Sequence, residues 1–310
     1  MTFDPIVANP HVQTLLGAGL RGFLPCPAGH VQVIACPNSR DGFPCYFCPS
    51  NGPLGLLVVH GIGGDARSGL GVSLAGQWLR RGLGPVLLVS LSPVLSPESP
   101  ARLYHGSSTD SLGILYQWLH QRSQSCVAVG FSLGANILVK WLSQSKQPGL
   151  RTGVSVCNPW NLKECGQHLE TTTMGRFYRF SMVERLKKRA LQLCKSHPRC
   201  LDRDAILKSR TFYDYDMAVT APLHGFIDVE DYYQRSSSWS CVDQLQNPLL
   251  SIDARDDPFR SPGVRLEDLP PSVERVTTPA GGHLGFLGRR KTFFWLEDYL
   301  CRRAQSWTIP

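Results

Sequence analysis

Residues 126–134 read CVAVGFSLG, and the way this stretch ends decides the fold. Small and β-branched residues run without a polar break to Phe131, the look of a strand buried on both faces. The run stops at Gly130-Phe131-Ser132-Leu133-Gly134, and apolar positions resume at helical spacing over Ala135 to Leu142. Such a tight strand-to-helix turn strains the serine backbone and lifts its Oγ above the sheet edge. Glycines two residues before and two after spare the turn's own backbone a clash with Cβ atoms. The following helix aims its N-terminal amides at the same spot and favours negative charge there. G-x-S-x-G alone is a weak pattern; its setting between a buried strand and an apolar-faced helix makes it specific.

Outward from the serine the rhythm repeats. LGLLVVH (54–60) and PVLLVSL (85–91) are buried strands, separated by a helical stretch with Leu70, Leu74, Trp78 and Leu79 on one face. Thr109 to Gln121 reads as a helix striped by Leu112, Leu115, Tyr116 and Leu119, and TGVSVC (152–157) as a strand. Upstream, residues 29–36 and 43–48 alternate around PNSRDG, an antiparallel hairpin. The rhythm lapses from Asn158 to about Ser240, where helical patches, aromatics and charges replace buried strands. It returns with NPLLSID (247–253), SVERVTT (272–278) and a terminal helix within 290–303. The expected fold is α/β: a mostly parallel central sheet with helices on both faces. Its core is divided into residues 1–157 and 241–310 by a helical cap at 158–240.

The bulk composition fits one large α/β unit. The 310 residues are 42% hydrophobic and 18% charged, with a net charge of +8. Basic residues fall in short clusters such as Lys187-Lys188-Arg189 and Arg289-Arg290-Lys291, not in one tract. They read as a solvated surface or as attraction to anionic lipid or acidic ligands. No zinc-finger spacing, RNA-binding signature or long basic helix supports a nucleic-acid partner. Eleven cysteines, an odd number without a compact framework, fit free thiols in a reducing compartment. Cys45 and Cys48 form a lone C-x-x-C with no second pair to complete a metal site. The N-terminus lacks a basic n-region and apolar h-region, and no apolar run reaches membrane-spanning length. These features lead to an expectation of a cytoplasmic protein.

A serine hydroxyl near neutral pH needs a base. With chain order Ser, acid, His, the candidates after Ser132 are His168, His197, His224 and His283. His283, in the glycine-rich AGGHLGF after the last expected strand, is best placed to overhang the sheet. The acid belongs after NPLLSID, where SIDARDDPF offers Asp253, Asp256 and Asp257. Asp257 precedes a proline that fixes a turn just past the strand end and is favoured; Asp256 is the close competitor. A developing oxyanion would be met by the amides of Leu133 and of Ile62 in HGIGG (60–64). No G-K-[ST] follows those glycines, so a phosphate loop is not expected.

With these pieces in place, the chain resembles the YheT-like branch of the α/β-hydrolase superfamily. The likeness spans nearly the whole chain: NPHVQT, HGIGG, LYHGSSTDSL, AVGFSLGANILVKWL, TAPLHGFIDVEDYYQRSSS, ARDDPF and GGHLGF. The resemblance implies an α/β-hydrolase fold and a serine esterase or lipase acting on carboxylic esters without metal or organic cofactor. Its charge-relay residues fall on Ser132, Asp257 and His283. The family's eukaryotic relatives are membrane-associated lipid esterases, so the implied partner is a small-molecule or lipid ester, with peripheral membrane contact an open expectation. Trp160, Phe177, Tyr178, Phe180 and Lys187 to Arg189 in the cap are the candidates for that contact. One stretch departs from the family: relatives carry an Asn-x-Arg-Gly-Cys-like string where this chain has VSLSPVLSPESP (89–100). That loop is expected to border the pocket, and it supports the competing reading of a non-catalytic interaction protein on a hydrolase scaffold.

Overall fold

The computed structural model describes residues 2–37, 39–96, 98–289 and 293–307. Among these, the strands are β1 (His30–Ala35), β2 (Gly42–Cys48), β3 (Leu54–Val59), β4 (Val86–Val89), β5 (Ser125–Phe131), β6 (Leu150–Val156), β7 (Leu249–Ala254) and β8 (Val273–Thr278). They form a single sheet in the order β1-β2-β4-β3-β5-β6-β7-β8. β1 and β2 pair antiparallel, β2 meets β4 antiparallel, and every pairing from β4 to β8 is parallel. The mostly parallel α/β-hydrolase architecture expected from the sequence is thus the one found.

Two helical layers explain why β3, β5 and β7 are buried along their full length. Leu54, Leu56 and Val58 face one layer, made by α2 (Gly69–Arg80) and the C-terminal helix α11 (Trp295–Trp307). Leu57 and Val59 face the other, made by α3 (Asp110–His120) and α4 (Leu133–Gln144). The period-2 alternation of a strand sends successive side chains to opposite layers, so such strands are apolar throughout. Trp78 and Trp295 are fully buried on the first side; truncating either to alanine would cost about 3–5 kcal/mol. The edge strand β1 has one covered face only and leaves Val31 and Val33 exposed.

Between β6 and β7 the chain is helical: α5 (Leu162–Glu170), α6 (Thr173–Ser196), α7 (Arg203–Lys208), α8 (Phe212–Tyr215), α9 (Ala221–His224) and α10 (Val229–Ser236). A π-helical turn, Asp216–Thr220, joins α8 to α9, and a 3-10 segment runs on through Gln244. This region has small apolar clusters of its own, such as Leu186, Ala190, Cys194, Ile206, Tyr215 and Val219.

Three boundaries differ from the sequence expectation. An N-terminal helix, α1 (Pro10–Gly22), was not anticipated. Asn9 caps it by accepting from the amides of His11 and Val12, with Pro10 at the first helical position. α4 begins at Leu133 rather than Ala135, directly after the serine. The terminal helix begins at Trp295; Arg290 to Thr292, the start of the expected segment, lie outside the described residues. Among the described residues no helix is long and apolar enough to cross a membrane.

Candidate active site

The register levels the carboxyl ends of the central strands. Val59 lies beside Val89 and Gly130, and Phe131 beside Val156. Residues leaving those ends converge over one spot, the usual ligand position in open parallel sheets. Ser132 stands there with φ 54° and ψ −124°, strained backbone for a non-glycine residue. Its amide donates to Val156 O at 3.0 Å and its carbonyl accepts from Ala135 N at 2.8 Å, so both neighbours hold the turn.

The flanking glycines have different reasons. A Cβ on Gly130 would overlap Gly134 O, the turn's own backbone as expected. A Cβ on Gly134 would instead overlap the carbonyls of Val59 and His60 at the end of β3. Gly134 is therefore a matter of helix-against-strand packing, not of the turn itself.

Ser132 Oγ donates to His283 Nε2 at 2.9 Å, and His283 Nδ1 donates to Asp257 Oδ2 at 2.9 Å and Oδ1 at 3.0 Å. The carboxylate on Nδ1 selects the tautomer whose Nε2 accepts. All three side chains are buried. Phe259 stacks on the imidazole, centroids 4.1 Å apart, and its amide donates to Asp257 Oδ1 at 2.7 Å. Asp256 points elsewhere: its Oδ1 accepts from Gly282 N at 2.9 Å, which holds the histidine's loop. Asp253 accepts from Ser251 Oγ at 2.5 Å, and burial pushes its carboxyl up to about 7. Of the other candidate histidines, His197 bonds Ser99 O, His168 lies in α5 and His224 packs on His105; none bonds Ser132.

Residues that the sequence did not single out hold this constellation. Thr14 of α1 accepts from His283 N at 2.9 Å, and Gln13 exchanges hydrogen bonds with the backbone of Leu287. Arg21 donates to Gly285 O at 2.8 Å and Leu284 O at 3.2 Å while paired with Glu297. A Cβ on Gly282 would overlap Pro10 O, and one on Gly17 would come 2.8 Å from Gly285 Cα. NPHVQT and GGHLGF are thus two halves of one contact, in which α1 cradles the histidine loop.

The HGIGG loop is pinned just as closely. His60 Nε2 accepts from Leu91 N at 3.2 Å, leaving Nδ1 to donate to Gly61 O at 2.8 Å. Burial first of all pushes this imidazole down to about 4, so it stays neutral. Tyr104 OH accepts from Gly63 N at 2.6 Å, and Arg189 donates to Gly63 O and Gly64 O at 3.1 and 2.8 Å. Ile62 and Leu133 border one small chamber together with Ser132. Leu133 opens α4, so its amide is one of the four that no carbonyl of the same helix can reach.

Two spaces meet at Ser132. One is an open cleft of about 520 Å³, walled by α1, the HGIGG loop, α6 and His283. The other is a smaller, mainly apolar chamber of about 90 Å³ whose lining includes Asp216, Tyr232 and Tyr233. Ile62, Met182 and Phe259 border both. The divergent loop behaves differently from expectation: among the described residues of 89–100, only Val89 lines the cleft. From Ser90 to Leu95 it lines a separate groove against the C-terminal half of α6. Its anchor is Asp41, which accepts from Ser96 N, Ser99 Oγ and Arg102.

Among the described residues the one cluster with metal-ligating atoms in reach of each other is Cys157, Asp257 and His283. Two of its members already bond each other. Burial, then the carboxylates of Asp257 and Asp253, hold the Cys157 thiol well above its ordinary range, so it stays protonated.

No protein-family model matches the chain. It is 32% identical over 252 residues to YheT of Escherichia coli strain K12, a protein named as an esterase, covering 78% of this chain and 74% of that one. It is 27% identical over 263 residues to a monoacylglycerol lipase of Saccharomyces cerevisiae, covering 80% of this chain but only 58% of the yeast protein. Among solved structures, an esterase of Pyrococcus furiosus matches with a TM-score of 0.56 at 15% identity, covering 99% of this chain and 98% of that one. At that identity the match speaks for the fold alone.

Proposed function

The chain belongs to the YheT-like branch of the α/β-hydrolases, and from that premise we propose that it is a serine hydrolase of carboxylic esters working through Ser132, His283 and Asp257. The observation that carries the reading is the unbroken hydrogen-bond line from Ser132 Oγ through the imidazole to Asp257, with the serine held at the elbow. His283 takes the Ser132 proton as Oγ attacks the ester carbonyl, and Asp257 steadies the imidazolium. The amides of Ile62 and Leu133 receive the oxyanion. His283 returns the proton to the departing alcohol, leaving an acyl-enzyme. Water, deprotonated by the same imidazole, then releases the acid and restores Ser132.

The two spaces divide the ester. The smaller chamber, lined mainly by apolar side chains such as Leu133, Leu162 and Leu169, takes the shorter part of the ester. The wide cleft, whose exposed lining is mostly apolar, takes a lipid acyl chain. Lipid esters are accordingly the proposed substrate class, with residues 158–240 as the cap over the reacting centre.

A fluorophosphonate probe tests the chemistry. Folded protein should be labelled on Ser132, and Ser132→Ala should abolish both labelling and turnover of p-nitrophenyl esters. Labelling that survives in Ser132→Ala would remove the proposal. An ester series of increasing acyl length tests the division of space, with activity persisting well beyond butyrate as the expected result.

A further inference from the structure

Helix α1 is built inside out. Its polar side chains point inward: Gln13 is 0% and Arg21 1% exposed, both fully hydrogen-bonded. Its apolar ones point outward: Val12, Leu15, Leu16 and Leu20 are each exposed by more than a third, and Phe23 just beyond the helix is 89% exposed. At 3.6 residues per turn these positions share one face, and no charged side chain interrupts it. A helix in contact with water alone gains nothing from that arrangement; isolated exposed apolar residues are ordinary, but a continuous face of them marks a contact surface.

The face lies beside the mouth of the cleft. Leu15 and Ala18 of α1 and Phe177 of α6 line the same opening, and His11 bonds the Tyr178 hydroxyl at 3.2 Å, joining the two helices. Phe177 and Phe180, one turn apart on α6, extend the exposed apolar surface. Positive charge borders it. Arg67 and Arg185 stand exposed on the cleft rim and Arg176 beside Phe177, and among the described residues none of the three guanidinium groups is paired with a carboxylate. Asp65 is the carboxylate of that lining, and its Oδ1 already accepts from Arg67 N at 2.7 Å. Of the other cap residues considered for such contact, Trp160, Tyr178 and Lys187 are buried, Arg189 holds the HGIGG loop, and Lys188, though exposed, lines the separate groove beside Ser90 to Leu95.

We infer that the outward face of α1, with Phe177 and Phe180, docks the molecule on an anionic lipid surface so that the cleft opens onto the lipid. An apolar helical face bedded at the headgroup boundary, with arginines beside it, is the arrangement that binds such surfaces. The inference rests on the ester-hydrolase reading only for what the docked cleft would receive. The histidine loop sits on the buried side of the docking helix, so docking brings the reacting centre to the substrate.

Flotation with phosphatidylcholine vesicles, with and without phosphatidylglycerol, reads docking separately from catalysis. Wild type should float with the anionic vesicles and lose that binding roughly tenfold in Leu16→Glu/Leu20→Glu, whose side chains touch neither cavity. The variant should keep its rate on soluble p-nitrophenyl butyrate within about twofold while hydrolysis of a vesicle-embedded ester falls. Three results would overturn docking: wild type that stays with the buffer, equal flotation with and without phosphatidylglycerol, or a wild-type dimer lost in the variant by light scattering. A protein that floats as expected but turns over no ester upholds docking and instead defeats the hydrolase reading.

Discussion

Asp256 and Asp257 carry the same carboxyl one residue apart and meet different partners. Asp257 takes His283 Nδ1 on both oxygens, and Asp256 takes Gly282 N on one. Asp257→Asn should therefore lower kcat by roughly 10⁴-fold, because the amide no longer fixes the tautomer. Asp256→Asn keeps an oxygen for the Gly282 amide and should stay within about tenfold. Ester kinetics on the two variants check this, and similar losses in both would mean that the carboxyls share the role. Proline after Asp257, glycine spacing around Ser132 and the glycine-rich loop of His283 are local signals, and the three side chains they mark are the ones that hydrogen-bond in line. The supports were not readable. Tyr104 and Arg189 act on the HGIGG loop from distant parts of the chain, and no local pattern marks a side chain whose partner is a remote backbone group. Tyr104→Phe should show what that support is worth. It leaves Gly63 N without its acceptor and loosens the proposed oxyanion loop, so kcat should fall by roughly 10- to 100-fold with little change in KM. A KM effect alone would assign Tyr104 to substrate binding instead.

At the scale of elements, the strands and core helices follow from periodicity because each buries a regular face on its own terms. α1 did not, since its apolar stripe faces out and its inward positions are Gln13, Gly17 and Arg21. A pattern search for apolar residues on a buried face misses a helix whose buried face is polar; its remaining signals were the Asn9 cap and Pro10. What holds it is a fully buried ion pair. Arg21 Nε meets Glu297 Oε1 at 2.6 Å and its terminal nitrogen meets Oε2 at 2.9 Å, while Ser73 Oγ of α2 donates to Glu297 Oε1 at 2.6 Å. One arginine thus links α1, α11 and the histidine loop, and through Glu297 it reaches α2. Arg21→Met leaves Glu297 buried without its cation, and urea denaturation should record a loss of about 3–5 kcal/mol. Arg21→Met/Glu297→Met should recover much of it, because the cost lies in the stranded charge rather than in the lost pair. A double variant no more stable than the single one would contradict that account.

Across the whole molecule, the helical segment between β6 and β7 meets the sheet-bearing part of the chain where two imidazoles pack at a tilt. His105, ahead of α3, lies 4.2 Å from His224 at the end of α9, with Phe226 and Tyr232 edge-on to His105. Burial, then the neighbouring ring, pushes His105 down to about 3; burial, then Arg102, pushes His224 down to about 4. His60, the first residue of HGIGG, is likewise pushed down to about 4, mainly by burial. The unfolded chain takes up these three protons near pH 6.5, while the folded protein refuses them until about 3 to 4. Stability from the three is therefore complete above about pH 6.5 and lost as pH falls below it. Asp216 and Asp253 act the other way. Burial raises both to about 7, so the folded state keeps protons that the unfolded chain releases near 4, and their contribution is lost as pH rises between those values. Asp41 and Asp214, held low by hydrogen bonds, enter only below about pH 4. His168, lowered mainly by burial, joins the three imidazoles, and Asp256, raised mainly by burial, joins the two carboxyls. Between about 4 and 6.5 four imidazoles thus oppose three carboxyls, and the net slope should favour unfolding toward acid. The thermal midpoint should drop as pH goes from about 6.5 to about 4.5. Asp216→Asn should steepen that drop by removing an opposing carboxyl, and His224→Gln should flatten it. Thermal melts of the three proteins across this range decide the matter: a profile that steepens in His224→Gln would mean that the His105–His224 contact is not where the acid sensitivity resides.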